Sequence, residues 1–115
     1  MIYRDFQQKT RSEIELLLSS KDAESVYDGL MTAVYHEPDW EWVQEQCHRF
    51  ITASNLQLRR GAVQGLGLIA VFRRQLDVNR AVSALTDAMS DPELRGEAED
   101  ALGDIRKFIP NARPV

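Results

Sequence analysis

The segment SNLQLRRGAVQGLGLI at residues 54–69 recurs as SDPELRGEAEDALGDI at residues 90–105, and this internal repeat restricts the fold more than any other feature of the chain. At a constant offset of 36, Ser54, Leu58, Arg59, Ala62, Leu66, Gly67, Ile69 and Phe72 match Ser90, Leu94, Arg95, Ala98, Leu102, Gly103, Ile105 and Phe108. The same step back from Gly65 and Leu66 reaches Gly29 and Leu30 in SVYDGLMTAVY, a weaker copy in which Val26, Leu30 and Ala33 replace Ala62, Leu66 and Ile69. Each copy is preceded by a second segment of helical period. Val43, Cys47, Phe50 and Ala53 align at an offset of 35 with Val78, Val82, Leu85 and Ala88, one extra residue near Met89 accounting for the slip. Ile14, Leu17 and Leu18 supply the earliest counterpart at i, i+3, i+4 spacing.

The repeating unit is therefore a pair of helices, present three times. Boundary residues agree: Asp22 or Ser20 can cap the second helix, Asp39 after Pro38 the third and Asn55 the fourth. Asp91 and Pro92 read as an N-cap followed by proline at the first helical position, and Pro110 should stop the last helix. Such pairs cannot bury their apolar faces alone; stacked side by side they share one core. The expected fold is all-α, a short α-solenoid of about three antiparallel helix pairs in one domain over residues 1–115, with repeats near 3–36, 39–73 and 75–109. A chain of 115 residues can bury enough surface for this without staples.

The pattern D-P-x-L-R-x-x-A-x-x-A-L-G-x-I, carried by Asp91, Pro92, Leu94, Arg95, Ala98, Ala101, Leu102, Gly103 and Ile105, resembles the second-helix signature of HEAT repeats. That resemblance implies that the second helix of each pair lines a concave surface, and that Arg59 and Arg95 brace adjacent turns through acids.

On the last helix a second face consists of Glu93, Glu97, Asp100 and Asp104. Helix N-terminal charge explains acids near Pro92 but not Asp100 or Asp104. Subtracting 36 gives the matching outward positions Gln57, Gly61, Gln64 and Leu68 in the middle copy and Ser25, Asp28 and Thr32 in the first. Residues 87–104 carry seven acids and one arginine, a local charge of −6 whose field would attract and orient a basic protein. A second acidic patch, Glu37, Asp39, Glu41 and Glu45, lies beside Tyr35, Trp40 and Trp42. Trp40 is in phase with Val43 and Cys47 and belongs to the core; Trp42 falls either against the preceding pair or toward a partner. The candidate partner-binding residues are thus Glu93, Glu97, Asp100, Asp104, Gln64, Asp28, Tyr35, Glu37, Asp39, Trp42 and Glu45.

Other chemistry has little to draw on. Cys47 and His48 are helix neighbours about 100° apart and do not converge on one ion. The glycines at 61, 65 and 67 lie inside a helical pattern and follow no strand, so they read as close-packing positions and not as a phosphate loop. No cofactor, metal or catalytic residue is expected. The lone cysteine fits a buried apolar role in a reducing compartment. With no signal-like or membrane-length apolar run, a cytoplasmic location and no membrane contact are expected. A net charge of −4 and a pI near 5.1 argue against direct nucleic-acid binding, and the arginines at 59, 60, 73, 74 and 80 have Phe72 as their one aromatic companion.

The run YHEPDWEWVQEQC, followed by a HEAT-like pair and the ending AEDALGDIRKF, also resembles small bacterial HEAT-repeat immunity proteins of contact-dependent and polymorphic toxin systems. That resemblance implies neutralisation of a cognate toxin, a basic nuclease domain, by occlusion of its active site through the acidic surface, as a monomer in a 1:1 complex. The alternative is a generic HEAT-type adaptor for a protein or peptide, with Tyr35, Trp42 and Leu68 in contact. A lyase of the HEAT-containing bilin type has no supporting residues here. Tyr3, Phe6, Phe108 and Ile109 are read as end caps or a dimer contact.

Overall fold

A computed structural model of the chain describes residues 6–109 and contains, among them, six α-helices and no strand: α1 (Arg11–Leu18), α2 (Ala23–His36), α3 (Trp40–Phe50), α4 (Leu56–Arg73), α5 (Val78–Ala88) and α6 (Arg95–Phe108). Polar side chains start the first five. Thr10 and Glu13 form a reciprocal capping box on α1, and Asp22, Asp39, Asn55 and Asp77 each accept a bond from a backbone N–H in the first turn of α2 to α5.

α6 begins differently. Asp91 is spent on a short turn, its carboxylate accepting from the Glu93 N–H and its carbonyl from the Leu94 N–H, so the helix starts at Arg95 with Leu94 as an N-cap lacking a side-chain bond. Pro92 therefore lies before the helix and not at its first position. The offset of 35 between the first helices of the second and third pairs is also corrected. Asp39 and Asp77 occupy the same N-cap position of two 11-residue helices, which puts α5 about one helical turn later than that alignment did. Periodicity cannot see such a shift, because one turn restores the same face; the buried residues of α5 are Ala81 and Leu85, while Val78 and Val82 are half-buried. Pro110 and Tyr3 lie outside the described residues.

Consecutive helices pack as α1 on α2, α3 on α4 and α5 on α6, and the second helices also pack on one another, α2 on α4 and α4 on α6. The core runs through this second layer: Leu30, Ala33 and Val34, then Ala62, Leu66 and Ile69, then Ala98, Ala101 and Ile105 are buried, closed from the first layer by Ile14, Val43, Cys47 and Leu85. Each large aliphatic side chain so buried contributes about 1.5–3 kcal/mol. Cys47 is fully buried, as expected for a small apolar residue, and burial pushes its thiol pKa up to about 12.

Gly67 lets α6 approach α4. A Cβ built there would sit 2.9 Å from the Ala101 Cα and 3.0 Å from its Cβ. Its repeat equivalent, Gly103, has nothing among the described residues within 4 Å. The same asymmetry separates the two arginines. Arg59 donates to the carbonyls of Ala53 and Ser54, both at 3.0 Å, and faces Asp91 at 3.9 Å across the seam. Arg95 is exposed and, among the described residues, pairs with Glu99 on its own helix, at 3.2 Å.

Candidate functional site

A cleft of about 340 Å³ crosses the layer of second helices. α2 contributes Tyr27, Met31 and Tyr35, α4 contributes Gln64 and Leu68, and α6 contributes Glu97, Asp100, Ala101 and Asp104. Phe6, from the segment before α1, closes the aromatic side.

The repeat geometry explains how these residues meet. Apolar positions one step apart in the repeat are drawn into the shared core, which leaves the next face of each second helix looking into the same cleft. On α6 that face carries acids and on α4 an amide and a leucine. On α2 it carries aromatic rings, and Phe6 lies against them, nearly parallel to Tyr35 with centroids 5.6 Å apart and edge-on to Tyr27 at 6.2 Å. The His36 ring Nε2 bonds the Phe6 carbonyl and ties this segment to the end of α2. Tyr35 also meets Phe72 of α4 at 5.2 Å, and both rings remain about 40% exposed.

The cleft is acidic on one wall. Among the described residues that line it there is no lysine or arginine. Arg60 approaches from the rim, its Nε 3.7 Å from Glu97 and its Nη2 donating to the Glu93 carbonyl at 3.3 Å. Among the described residues no ion pair reaches Asp100 or Asp104. Three carboxylates on one wall, with Arg60 paired to Glu97 alone among the described residues, make the cleft an attractive environment for an added cation.

Of the candidates read from the sequence, Tyr35, Gln64, Glu97, Asp100 and Asp104 come together in this cleft. Glu93 is exposed beside its rim and Asp28 is half-buried on α2, neither lining it. The remaining candidates lie elsewhere. Glu37 and Asp39 each sit 3.7 Å from the Arg11 guanidinium, which lies 3.6 Å above the Trp42 ring. Trp42 therefore packs on the preceding pair. Glu45 receives two bonds from Arg80, at 2.8 and 3.0 Å, which hold its carboxyl below the usual range. Trp40 is half-buried and donates its ring N–H to Gln75 at 2.8 Å.

Two outward positions inferred by subtraction are buried instead. Gly61 is covered by Tyr27, whose ring carbon lies 3.0 Å from where its Cβ would be, and Thr32 is 1% exposed. The arginines form no continuous strip: Arg73 donates to the Val34 and Glu37 carbonyls at the end of α2, and Arg74, in the left-handed conformation, covers the Phe108 ring. Sequence reasoning missed Phe6, Tyr27 and Met31 as cleft residues. Tyr27 and Met31 do lie on the α2 face that follows Asp28, but Phe6 precedes every periodic segment and packs on Tyr27 and Tyr35.

No family model matches the chain, and no curated protein does. Among solved structures, a chain in the crystal structure of a CDI complex from Cupriavidus taiwanensis LMG 19424 is similar to it over 94% of this chain and 97% of that one, with a TM-score of 0.83 and 31% identity.

Proposed function

The chain belongs to the same family as that chain of the Cupriavidus taiwanensis CDI complex, and from this membership we propose that it is the immunity protein of a contact-dependent growth inhibition pair. In this reading it binds a cognate toxin domain in the cytoplasm, in a 1:1 complex, and blocks the toxin's active site without chemistry of its own. Its three helix pairs are HEAT-like repeats. The observation that carries the proposal is a full-length likeness to a chain whose structure was solved as part of a CDI complex.

Charge supports placing this chain on the immunity side of such a pair. The acids of α6 face an open cleft, while the histidines serve structure: His36 bonds the Phe6 carbonyl, and His48 lies 3.2 Å from the Gln44 amide. A toxin that acts on nucleic acid needs a basic active site to hold phosphate, and an acidic surface with the same spacing of charge is its natural occluder. Glu97, Asp100 and Asp104 stand in for phosphates in that reading. Glu93 and Asp28 extend the contact along the rim, and the Glu37, Asp39, Trp42 and Glu45 side supplies a second contact region.

The test is a tagged pull-down from the native host at low and high salt, with the retained protein identified by mass spectrometry. Recovery of one basic toxin domain, retained less at high salt and inactive while bound, is the expected result. A large, neutral partner indifferent to salt would refute immunity and leave a HEAT-type adaptor that binds through its exposed aromatics.

A further inference from the structure

Resting on the immunity reading, we propose that the cleft is a receptor for one arginine side chain of the partner, stacked on Tyr35 and held by Asp100 and Asp104. The parts needed are already assembled. An exposed aromatic ring, fixed in orientation by Phe6 beneath it, forms one wall. Leu68 offers apolar surface for an aliphatic stem, and the α6 carboxylates stand opposite. Every described lining residue is neutral or acidic.

The shape of the charge selects the class of cation. No three of the His, Cys, Asp and Glu side chains among the described residues converge closely enough to hold a metal ion. The occupant must therefore spread its charge and reach separated oxygens. A guanidinium does both, since it presents five donors in a planar fork and lies flat on an aromatic face. The same combination is present within the molecule itself, where the Arg11 guanidinium lies 3.6 Å from the Trp42 centroid and 3.7 Å from oxygens of Glu37 and Asp39. In the cleft the ring and the carboxylates are present, and among the described residues Arg60 reaches only the Glu97 end.

The test is a titration of isotope-labelled protein with N-acetyl-arginine N-methylamide, read from backbone amide shifts, beside the same titration with the neutral citrulline analogue. Saturable shifts at Tyr35, Gln64, Asp100 and Asp104 with the arginine probe alone are expected, weakened about tenfold in an Asp100→Asn/Asp104→Asn variant by loss of charge-assisted bonds. Equal shifts with citrulline, or shifts that avoid the cleft, overturn the proposal. Absent cleft shifts beside an intact, salt-sensitive toxin complex overturn the arginine receptor and spare the immunity reading. Cleft shifts with no toxin partner recovered uphold the receptor and refute immunity.

Discussion

Gly67 and Gly103 occupy the same repeat position, yet the same substitution should move stability in opposite directions. In Gly103→Ala the new methyl meets nothing among the described residues, so only helix propensity acts, and the chain gains about 0.5–1 kcal/mol. In Gly67→Ala the propensity gain is the same, but the methyl would lie 2.9 Å from a backbone carbon of Ala101. Backbone cannot rotate away, so α6 must move off α4 and the overpacking costs about 1–3 kcal/mol, leaving a net loss of up to about 2.5 kcal/mol. For a domain of this size, chemical denaturation followed by circular dichroism resolves both, and melting temperatures should shift by about 4 °C per kcal/mol. The α4–α6 seam also bounds the acidic cleft, so Gly67→Ala should weaken partner binding while Gly103→Ala does not. Two shifts of the same sign and size would refute the claim that close approach at Gly67 sets the packing of the last pair.

The two repeat arginines provide a parallel contrast. Arg59→Ala removes two bonds to carbonyls and should cost about 1–2 kcal/mol in denaturant melts, whereas Arg95→Ala should stay within about 0.5 kcal/mol. The Cys47 thiol, buried and with its pKa raised to about 12, should resist alkylation by iodoacetamide at pH 8 in the native protein and react on unfolding, as mass spectrometry would report. His48 is held below its usual 6.5 chiefly by burial, with Arg80 adding to the effect, so the unfolded chain takes up a proton there before the folded one does. Its contribution to stability is full above about pH 6.5 and is lost as the pH falls through the lower folded value. Melting temperature should therefore drop between pH 7 and pH 5, and less so in His48→Gln.

Much of this architecture is legible in the sequence because repetition constrains it twice. The helix starts at Asp22, Asp39 and Asn55 follow from local cap chemistry, and the inward positions Leu30, Leu66, Ala98 and Ile105 from a helical period repeated in phase. What failed depends on tertiary contacts. Asp91 and Pro92 have the form of a helix start, but Asp91 turns the chain and faces Arg59, which delays α6. Gly61 and Thr32 satisfy the outward spacing, yet Tyr27 covers the first and Thr32 is buried. For the site, the acidic wall is visible as the stripe Glu97, Asp100 and Asp104, since its spacing alone puts it on one face. The aromatic wall is not, because Phe6 is positioned by stacking on residues far along the chain. Nor could the sequence divide the acids into those with internal partners, such as Glu45 on Arg80, and those facing the cleft.

The most direct test of the central claim, that the acidic wall of α6 holds the toxin, is the affinity of the Glu97→Lys/Asp100→Lys variant for the recovered toxin domain, measured by calorimetry. Asp100 is exposed and Glu97 is half-buried beside Arg60 at the rim, and circular dichroism checks that the variant keeps the helical content of the parent protein. The account predicts a loss of affinity of about a hundredfold or more, because two attractive charges become repulsive. Unchanged affinity with unchanged helical content would contradict it and place the toxin on another face of the molecule.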